Sequence, residues 1–340
     1  MAKANEIKKE VPVVAIAGVF QYGKSTLINC LLADNIADMG DGLPTTHAVG
    51  IYSCGEEGAW LYYDDDSNPK YFRMDDYWDI HDKHKNRLDE WKKKLIEWNQ
   101  KRGEQKDQPK KPKGSFDTIH QIDFNIPRKN LNNISLMDTP GVNSTDESDT
   151  ARTFEALKKA DFIIVLVSNK QFDQPQKDLL RDVSSTGKPF TIIMNCMDAG
   201  KWDPKSDLNN PVQETLAQEI ESMGQNPWKI GESTVWSCNI LWYWCAMLKK
   251  ANHTPGSRFT TKLDETWDDI SHYFNQRKKP VPDFEELAKI SNVQPLIDFI
   301  TGNGTKAKSL PNLIAMNKAF EGWKQEILDK IEDAKAIINK

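Results

Sequence analysis

The octapeptide Gly18-Val19-Phe20-Gln21-Tyr22-Gly23-Lys24-Ser25 lies between a β-branched run, Val11 to Ala17, and a helical pattern, Lys24 to Ala33. It matches the pattern GxxxxGK(S/T), which binds phosphate when a strand precedes it and a helix follows it. The glycines let backbone N–H groups turn inward around an anion, and the helix N-terminus adds the positive end of its dipole. The octapeptide therefore predicts a phosphate-binding loop, in which Lys24 reaches the β- and γ-phosphates and Ser25 ligates Mg²⁺. A glycine-rich turn with an exposed lysine is the alternative.

Downstream of this loop, apolar runs alternate with helical patterns. Three runs are typical of strands buried on both faces, namely Ile134 to Met137, Phe162 to Val167 and Phe190 to Met194. The helical stretches are Asp149 to Ala160 and Gln174 to Ser184, and a further strand and helix follow at Ser233 to Ser237 and Ile240 to Lys249. This alternation predicts an α/β fold, with a mainly parallel central sheet flanked by helices.

The composition argues against several classes of protein. The 340 residues include 45 basic and 50 acidic side chains, which give a net charge of −5. A mean hydropathy of −0.65, with no apolar run near the roughly 20 residues that span a bilayer, argues against transmembrane anchoring. The charged segment Met1 to Glu10 predicts no secretory signal and a cytoplasmic location. Five cysteines without a CxxC pair argue against a disulfide scaffold or a zinc site, and the acidic charge argues against a dedicated nucleic-acid module.

Two regions exceed a minimal α/β domain. The first, residues 51–133, contains a charged helical run with an apolar stripe at 3-4-3 spacing, formed by Leu88, Trp91, Leu95 and Trp98. We expect this stripe to pack on the main body, with a partner-binding face as the alternative. The second region ends in a long helix, about Asn312 to Asn339, whose apolar residues recur at threes and fours as in a bundle or coiled coil.

A second short motif, Asp138-Thr139-Pro140-Gly141, follows the strand at Ile134 to Met137. It puts a carboxylate at the C-terminal end of a strand, where a Mg²⁺-bound water can be held, and Gly141 can offer its N–H to a γ-phosphate. A plain turn is the alternative, since Asp, Pro and Gly are turn residues.

With these two motifs the sequence resembles a P-loop GTPase of the Ras-like superclass. Asn195-Cys196-Met197-Asp198 is similar to the N-K-x-D element of that superclass, with Cys196 in place of the lysine. The two carboxylate oxygens of Asp198 could accept from the N1 and N2 hydrogens of guanine, which adenine lacks, and Asn195 would bridge to the phosphate loop. Ser237-Cys238 resembles the S-A loop at the guanine oxygen, with an ordinary strand exit as the alternative.

The resemblance implies a set of site residues. Nucleotide contacts are implied for Gly18, Phe20, Gln21, Tyr22, Gly23, Lys24, Ser25, Thr26, Gly141, Asn195, Asp198, Ser237 and Cys238. Catalytic roles are implied for Lys24, Thr46 and Gln21, and Mg²⁺ ligation for Ser25, Thr46 and Asp138. Thr46 is preferred as the switch threonine because it directly precedes the run His47 to Tyr52, while Thr45 stays open.

Several features resemble the bacterial dynamin-like branch. They are the segment Leu43 to Thr46, the enlarged insertion, the stretch Asn143 to Asp149, and Phe172 to Asp178 before a helix. This resemblance implies GTP hydrolysis with nucleotide-dependent self-association, often on membranes, so peripheral membrane attachment stays open although no amphipathic tip is present. We expect a GTPase domain at residues 1–250 with an insertion at about 54–130, and a helical extension at residues 251–340.

Two departures from family patterns bear on hydrolysis. Gln21 stands where the branch usually has serine and potassium-activated GTPases have asparagine, so K⁺ joins Mg²⁺ as a candidate cofactor. Val142 stands where signalling GTPases have the glutamine that orients water, which valine cannot do. Two alternatives remain: a monomeric house-keeping GTPase acting on RNA or the ribosome through the basic stretch Lys101 to Lys113, and a nucleotide-dependent binding module with negligible turnover.

Overall fold

The structure is a computed structural model. It describes residues 11–19, 21–37, 48–65, 67–100, 107–110, 112, 118–141, 147–170, 172–196, 211–224, 226–251, 260–303 and 309–338. Outside these ranges lie the predicted site residues Phe20, Thr45, Thr46, Val142 and Asp198, and most of the basic stretch at 101–113.

The described residues form one nine-stranded sheet in the order β4-β3-β5-β2-β6-β1-β7-β8-β9. The strands are β1 Val13–Gly18, β2 Val49–Cys54, β3 Gly58–Tyr63, β4 Lys70–Phe72, β5 Ile119–Ile126, β6 Ser135–Asp138, β7 Phe162–Ser168, β8 Phe190–Asn195 and β9 Val235–Cys238. From β6 to β9 in this order all neighbours are parallel. Strand β2 is antiparallel to β6 and parallel to β5, whereas β3 is antiparallel to both of its neighbours. The predicted mainly parallel α/β sheet is confirmed.

Helices cover both faces of this sheet. They are α1 Lys24–Leu32, α2 Met74–Gln100, α3 Glu147–Lys159, α4 Gln174–Ser185, α5 Pro211–Met223, α6 Ile240–Lys250, α7 Thr260–Gln276, α8 Phe284–Ile290, α9 Gln294–Thr301 and α10 Leu310–Ile338. The ends of the predicted strands and helices agree with these bounds to within about two residues, as is usual for helix ends. Helix α5 was not predicted, although the spacing of its buried residues Val212, Leu216 and Ile220 is helical.

Strand β7 shows how the core is divided. All seven of its residues are buried, as its continuous apolar run predicts. Ile164 and Leu166 belong to the apolar cluster that includes residues of α1, α6 and α9. Ile163 and Val165 belong to the cluster on the other face, with residues of α3, α4 and α5. The sheet is thus covered on both sides, so functional groups are left to the ends of its strands.

The insertion extends the sheet. Strands β3, β4 and β5 come from it, and α2 packs beside them, where the Tyr77 and Phe124 rings lie 5.2 Å apart. The first half of α2 is anchored by buried Met74, Tyr77, His81 and His84. The predicted stripe continues this row, and its four residues are half-buried. One of them, Trp91, donates from Nε1 to the Pro109 carbonyl at 2.9 Å.

Helix α10 leaves the body of the protein after its first turns. Leu310 and Ile314 are buried, and Lys318 Nζ lies 2.7 Å from Asp161 Oδ1 at the start of β7. On the same helix, Met316 is 65% exposed and Trp323 is 60% exposed. Among the described residues, no helix is both long enough and apolar enough to cross a membrane.

Candidate nucleotide site

The phosphate-binding loop turns sharply between β1 and α1. Gly23 has φ +89° and Gln21 has φ +67°, so both adopt the left-handed conformation. A Cβ atom on Gly23 would lie 2.7 Å from Asn195 Nδ2, so glycine is required there for space as well as for conformation. The N-cap residue of α1 is Gly23, which has no side chain that could cap the helix. The positive end of the helix dipole therefore faces this loop, where it favours an anion.

Lys24 lies inside this loop. Its side chain is buried, and Nζ donates to the Gly18 carbonyl at 3.1 Å and to the Val19 carbonyl at 3.4 Å. Burial lowers the pKa of Lys24, while the Asp138 carboxylate acts in the opposite direction. The ammonium group is thus held where the oxygens of a bound phosphate could replace the loop carbonyls as its partners.

Ser25 and Asp138 meet beside Lys24. Ser25 Oγ donates to Asp138 Oδ2 at 3.1 Å. The other oxygen, Oδ1, is buried and has no hydrogen-bond partner among the described residues. Burial raises the pKa of Asp138 to about 6, although Lys24 and Ser25 lower it in part. A hydroxyl and a carboxylate with an unpaired oxygen are ligands that Mg²⁺ accepts, so these residues fit that ion.

The raised pKa of Asp138 gives a stability prediction. Because the folded value of about 6 lies above the ordinary 3.8, the native state binds this proton more tightly, and metal-free stability falls as the pH rises between these values. Asp138→Asn removes the buried charge. We expect the metal-free variant to melt about 2–5 °C above the parent near pH 7.5, and Mg²⁺ with nucleotide to stabilise it much less. Thermal melting with chelator or with Mg²⁺ checks both results, and a metal-free variant that melts below the parent would contradict the assignment.

Asn195 joins the phosphate-binding loop to the strand end where the base is expected. Its Nδ2 donates to the Tyr22 carbonyl at 3.2 Å, and its Oδ1 accepts from the Ile240 N–H at 3.1 Å. Ile240 begins α6 directly after the Ser237-Cys238 segment and Asn239. One amide thus connects the loop between β1 and α1 with the exit of β9.

Two cysteines lie at this end of the site. Cys196 and Cys238 are buried, and the Cys196 N–H donates to the Cys238 carbonyl at 2.9 Å. Burial raises the pKa of Cys238 far above its ordinary value, so its thiol is neutral. Asn169 donates from Nδ2 to Cys196 Sγ at 3.1 Å. Asn169 was not among the predicted site residues, although a polar residue directly after a buried strand is a recognisable signal.

The structure brings most of the predicted site residues to one edge of the sheet, at the C-terminal ends of β1, β6, β8 and β9. They are Gly18, Gln21, Tyr22, Gly23, Lys24, Ser25, Thr26, Asp138, Gly141, Asn195, Ser237 and Cys238. Thr139 holds the β6 exit against β1, since its Oγ1 donates to the Ile16 carbonyl at 3.0 Å.

The chain is similar to known proteins in fold and in sequence. One similar solved structure comes from an oligomerised bacterial dynamin pair, which is described as providing a mechanism for the long-range sensing and tethering of membranes. It is 18% identical to this chain, with a TM-score of 0.42, and the match covers 96% of this chain and 46% of that chain. A second similar structure is Era from Aquifex aeolicus bound to GDP and AlF₄⁻, which is 14% identical with a TM-score of 0.36. The match covers 67% of this chain and 50% of that chain. The chain spans about half the length of these structures. No curated protein matches its sequence.

Residues 14–197, more than half of the chain, match the model of the dynamin family. The chain belongs to the dynamin family and contains a P-loop GTPase domain of that family.

Proposed function

We propose that this protein binds GTP and hydrolyses it to GDP and phosphate, and that two copies associate when nucleotide is bound. The observation that carries the proposal is the Ser25–Asp138 pair at 3.1 Å, with its unpaired carboxylate oxygen, directly beside the buried Lys24. Hydroxyl, carboxylate and ammonium are the groups that this fold uses to hold a triphosphate and its metal ion.

Several groups of the chain are proposed to bind the triphosphate or to position the attacking water. Lys24 leaves the Gly18 carbonyl and pairs with the β- and γ-phosphate oxygens, where negative charge concentrates during cleavage. The uncapped N-terminus of α1 adds backbone N–H donors, and Gly141 adds another at the γ-phosphate. Ser25 and Asp138 would hold Mg²⁺, which would supply positive charge to the triphosphate. Thr46 is proposed to position the attacking water, since Val142 has no group that can do so.

Guanine selectivity is proposed to rest on Asp198 and on the strand ends next to it. Asn195 is fixed at both ends of its amide, so the segment that continues to Asp198 leaves β8 from a fixed point. Selectivity follows from chemistry, because a carboxylate accepts both guanine hydrogens and adenine offers no such pair.

Self-association is proposed from Gln21 and Val142. Gln21 is exposed at the rim of the phosphate-binding loop, in a left-handed conformation. Its amide can reach a K⁺ ion at the nucleotide once a second copy covers the loop. A second copy is needed because Val142, and not a glutamine, follows Gly141, so the single chain has no side chain at that position to orient water. Division of the chain at residue 250, a cytoplasmic location and peripheral membrane contact remain predictions.

The experiment is GTP hydrolysis by the purified chain at a series of protein concentrations, in K⁺ or Na⁺. We expect a slow basal rate, on the order of 10⁻⁴ to 10⁻² per second, that rises more than linearly with protein concentration and is faster in K⁺. A GTP turnover rate that is independent of protein concentration and of the monovalent cation would reject association and favour the house-keeping alternative. Equal competition by ATP would reject a guanine site, and binding without turnover would favour the binding module.

A further inference from the structure

A turn of the C-terminal helices touches the exit of β9. We call Ser237, Cys238 and Asn239 the base loop, and Ser291, Asn292 and Val293, which join α8 to α9, the clamp turn. Asn292 Nδ2 donates to the Ser237 carbonyl at 2.8 Å. The Asn239 N–H donates to the Ser291 carbonyl at 2.8 Å. The two segments are thus joined by hydrogen bonds in both directions.

A third bond comes from β9 itself. Trp236 Nε1 donates to the Asn292 carbonyl at 2.9 Å, so Asn292 contacts both the strand and the loop that follows it. Its φ of +60° is left-handed, a conformation that asparagine tolerates better than most residues. The side chain and the carbonyl of one residue can therefore both face β9.

The clamp turn is built into a buried part of the helical layer. Ser291 and Val293 are fully buried, and the Ser291 N–H donates to the Leu287 carbonyl at 3.1 Å. Leu296 and Ile300, on the following helix α9, are also fully buried. The turn therefore belongs to the packed helical layer.

The base loop is held from two sides. On the side of the phosphate-binding loop, Asn195 Oδ1 accepts the Ile240 N–H. On the helical side, the clamp turn bonds to Ser237 and to Asn239. The backbone N–H groups of Asn239 and Ile240 are thus already used, and the direction of the Ser237-Cys238 backbone depends on both supports.

We propose that Asn292 is a positioning residue for recognition of the guanine base. It fixes the course of the base loop at the strand end where the guanine base is expected, and it joins that strand end to the turn between α8 and α9. This inference rests on the proposed function, since it requires guanine at the base loop. Small displacements of a recognition group weaken binding strongly, because hydrogen bonds depend on geometry.

The test uses Asn292→Gly, which removes the amide and keeps the left-handed backbone accessible. Lys278→Gly is the matched control, because exposed Lys278 has φ +53° and lies after α7. Dissociation of fluorescently labelled GDP is measured, together with competition by inorganic tripolyphosphate, which has no base. We expect Asn292→Gly to release GDP about three to ten times faster, with unchanged tripolyphosphate affinity. Lys278→Gly is expected to change neither.

A second variant guards against misfolding of the first. Trp236→Phe removes the Nε1 donor to Asn292 and is expected to release GDP about twofold faster, again without an effect on tripolyphosphate. Parental GDP release in both variants, or equal weakening of GDP and tripolyphosphate, would overturn the inference alone. A parent chain that binds GDP no better than ADP would overturn the proposed function and this inference with it.

Discussion

The Lys24→Ala variant is expected to hydrolyse GTP at least about 100-fold more slowly than the parent and to bind the triphosphate more weakly. The parent ammonium is already inside the phosphate-binding loop, bonded to the Gly18 and Val19 carbonyls, so its removal deletes a charge that is held in place. A second effect follows at Asp138, because Lys24 lowers the pKa of that carboxyl. Without Lys24 the pKa rises further, and protons compete more strongly with Mg²⁺ at neutral pH.

Single-turnover hydrolysis and titration with a nonhydrolysable GTP analogue measure both losses. Lys83→Ala is the control, since exposed Lys83 on α2 pairs with the exposed Asp79 at 2.6 Å, and surface pairs contribute little. Raising the Mg²⁺ concentration is expected to restore part of the binding and little of the rate. A Lys24→Ala variant with the parental rate would show that the loop is structural only.

Asp198→Asn is expected to weaken GTP binding by about 100-fold or more and to improve binding of xanthosine triphosphate. The carboxylate accepts two hydrogens from guanine, whereas the asparagine amide would place an N–H donor against the guanine N2 hydrogens. Xanthine has an oxygen at that position, so the same donor is then satisfied. This exchange tests the pairing itself, because general damage to the domain would weaken both nucleotides.

Competition titrations with GTP, ATP and xanthosine triphosphate give the readout. Asp203→Asn, on the same segment of the sequence, is the matched control and is expected to leave the order of affinities unchanged. If Asp198→Asn kept the parental preference for GTP, the base-binding assignment of this segment would be wrong.

The parallel half of the sheet and much of the candidate site could be predicted because their signals are local. Strand β7 is an unbroken apolar run, and the Lys24 loop is defined by the spacing of its glycines. The Asp138 carboxylate stands at the C-terminal end of β6, a short and mostly buried strand. In each case, neighbouring residues along the chain determine the structure, so one sequence suffices.

The insertion was predicted less well. Its residues were expected to form an enlargement with an apolar helix, but β3, β4 and β5 extend the central sheet. Strand β5 carried a signal, since Ile122, Phe124 and Ile126 alternate with half-exposed residues. Which strand it would pair with depends on the whole sheet, and its parallel pairing with β2 has no local signature.

The clamp turn could not be predicted at all. Asn292 lies 55 residues beyond Ser237, and their contact depends on how α8 and α9 pack against α6 and the sheet. An asparagine between two short helices is typical of an ordinary turn. Only the folded arrangement shows that its amide faces the exit of β9.

Helix α10 has a mechanical consequence. Its 29 residues make a rod about 43 Å long at 1.5 Å per residue. From Lys318, where it is tied to Asp161, to Glu332, every described side chain is exposed. A tilt of about 10° around that tie would carry the far end, roughly 30 Å away, through about 5 Å. An angular change too small to disturb the sheet would thus be magnified at the tip to the length of a side chain.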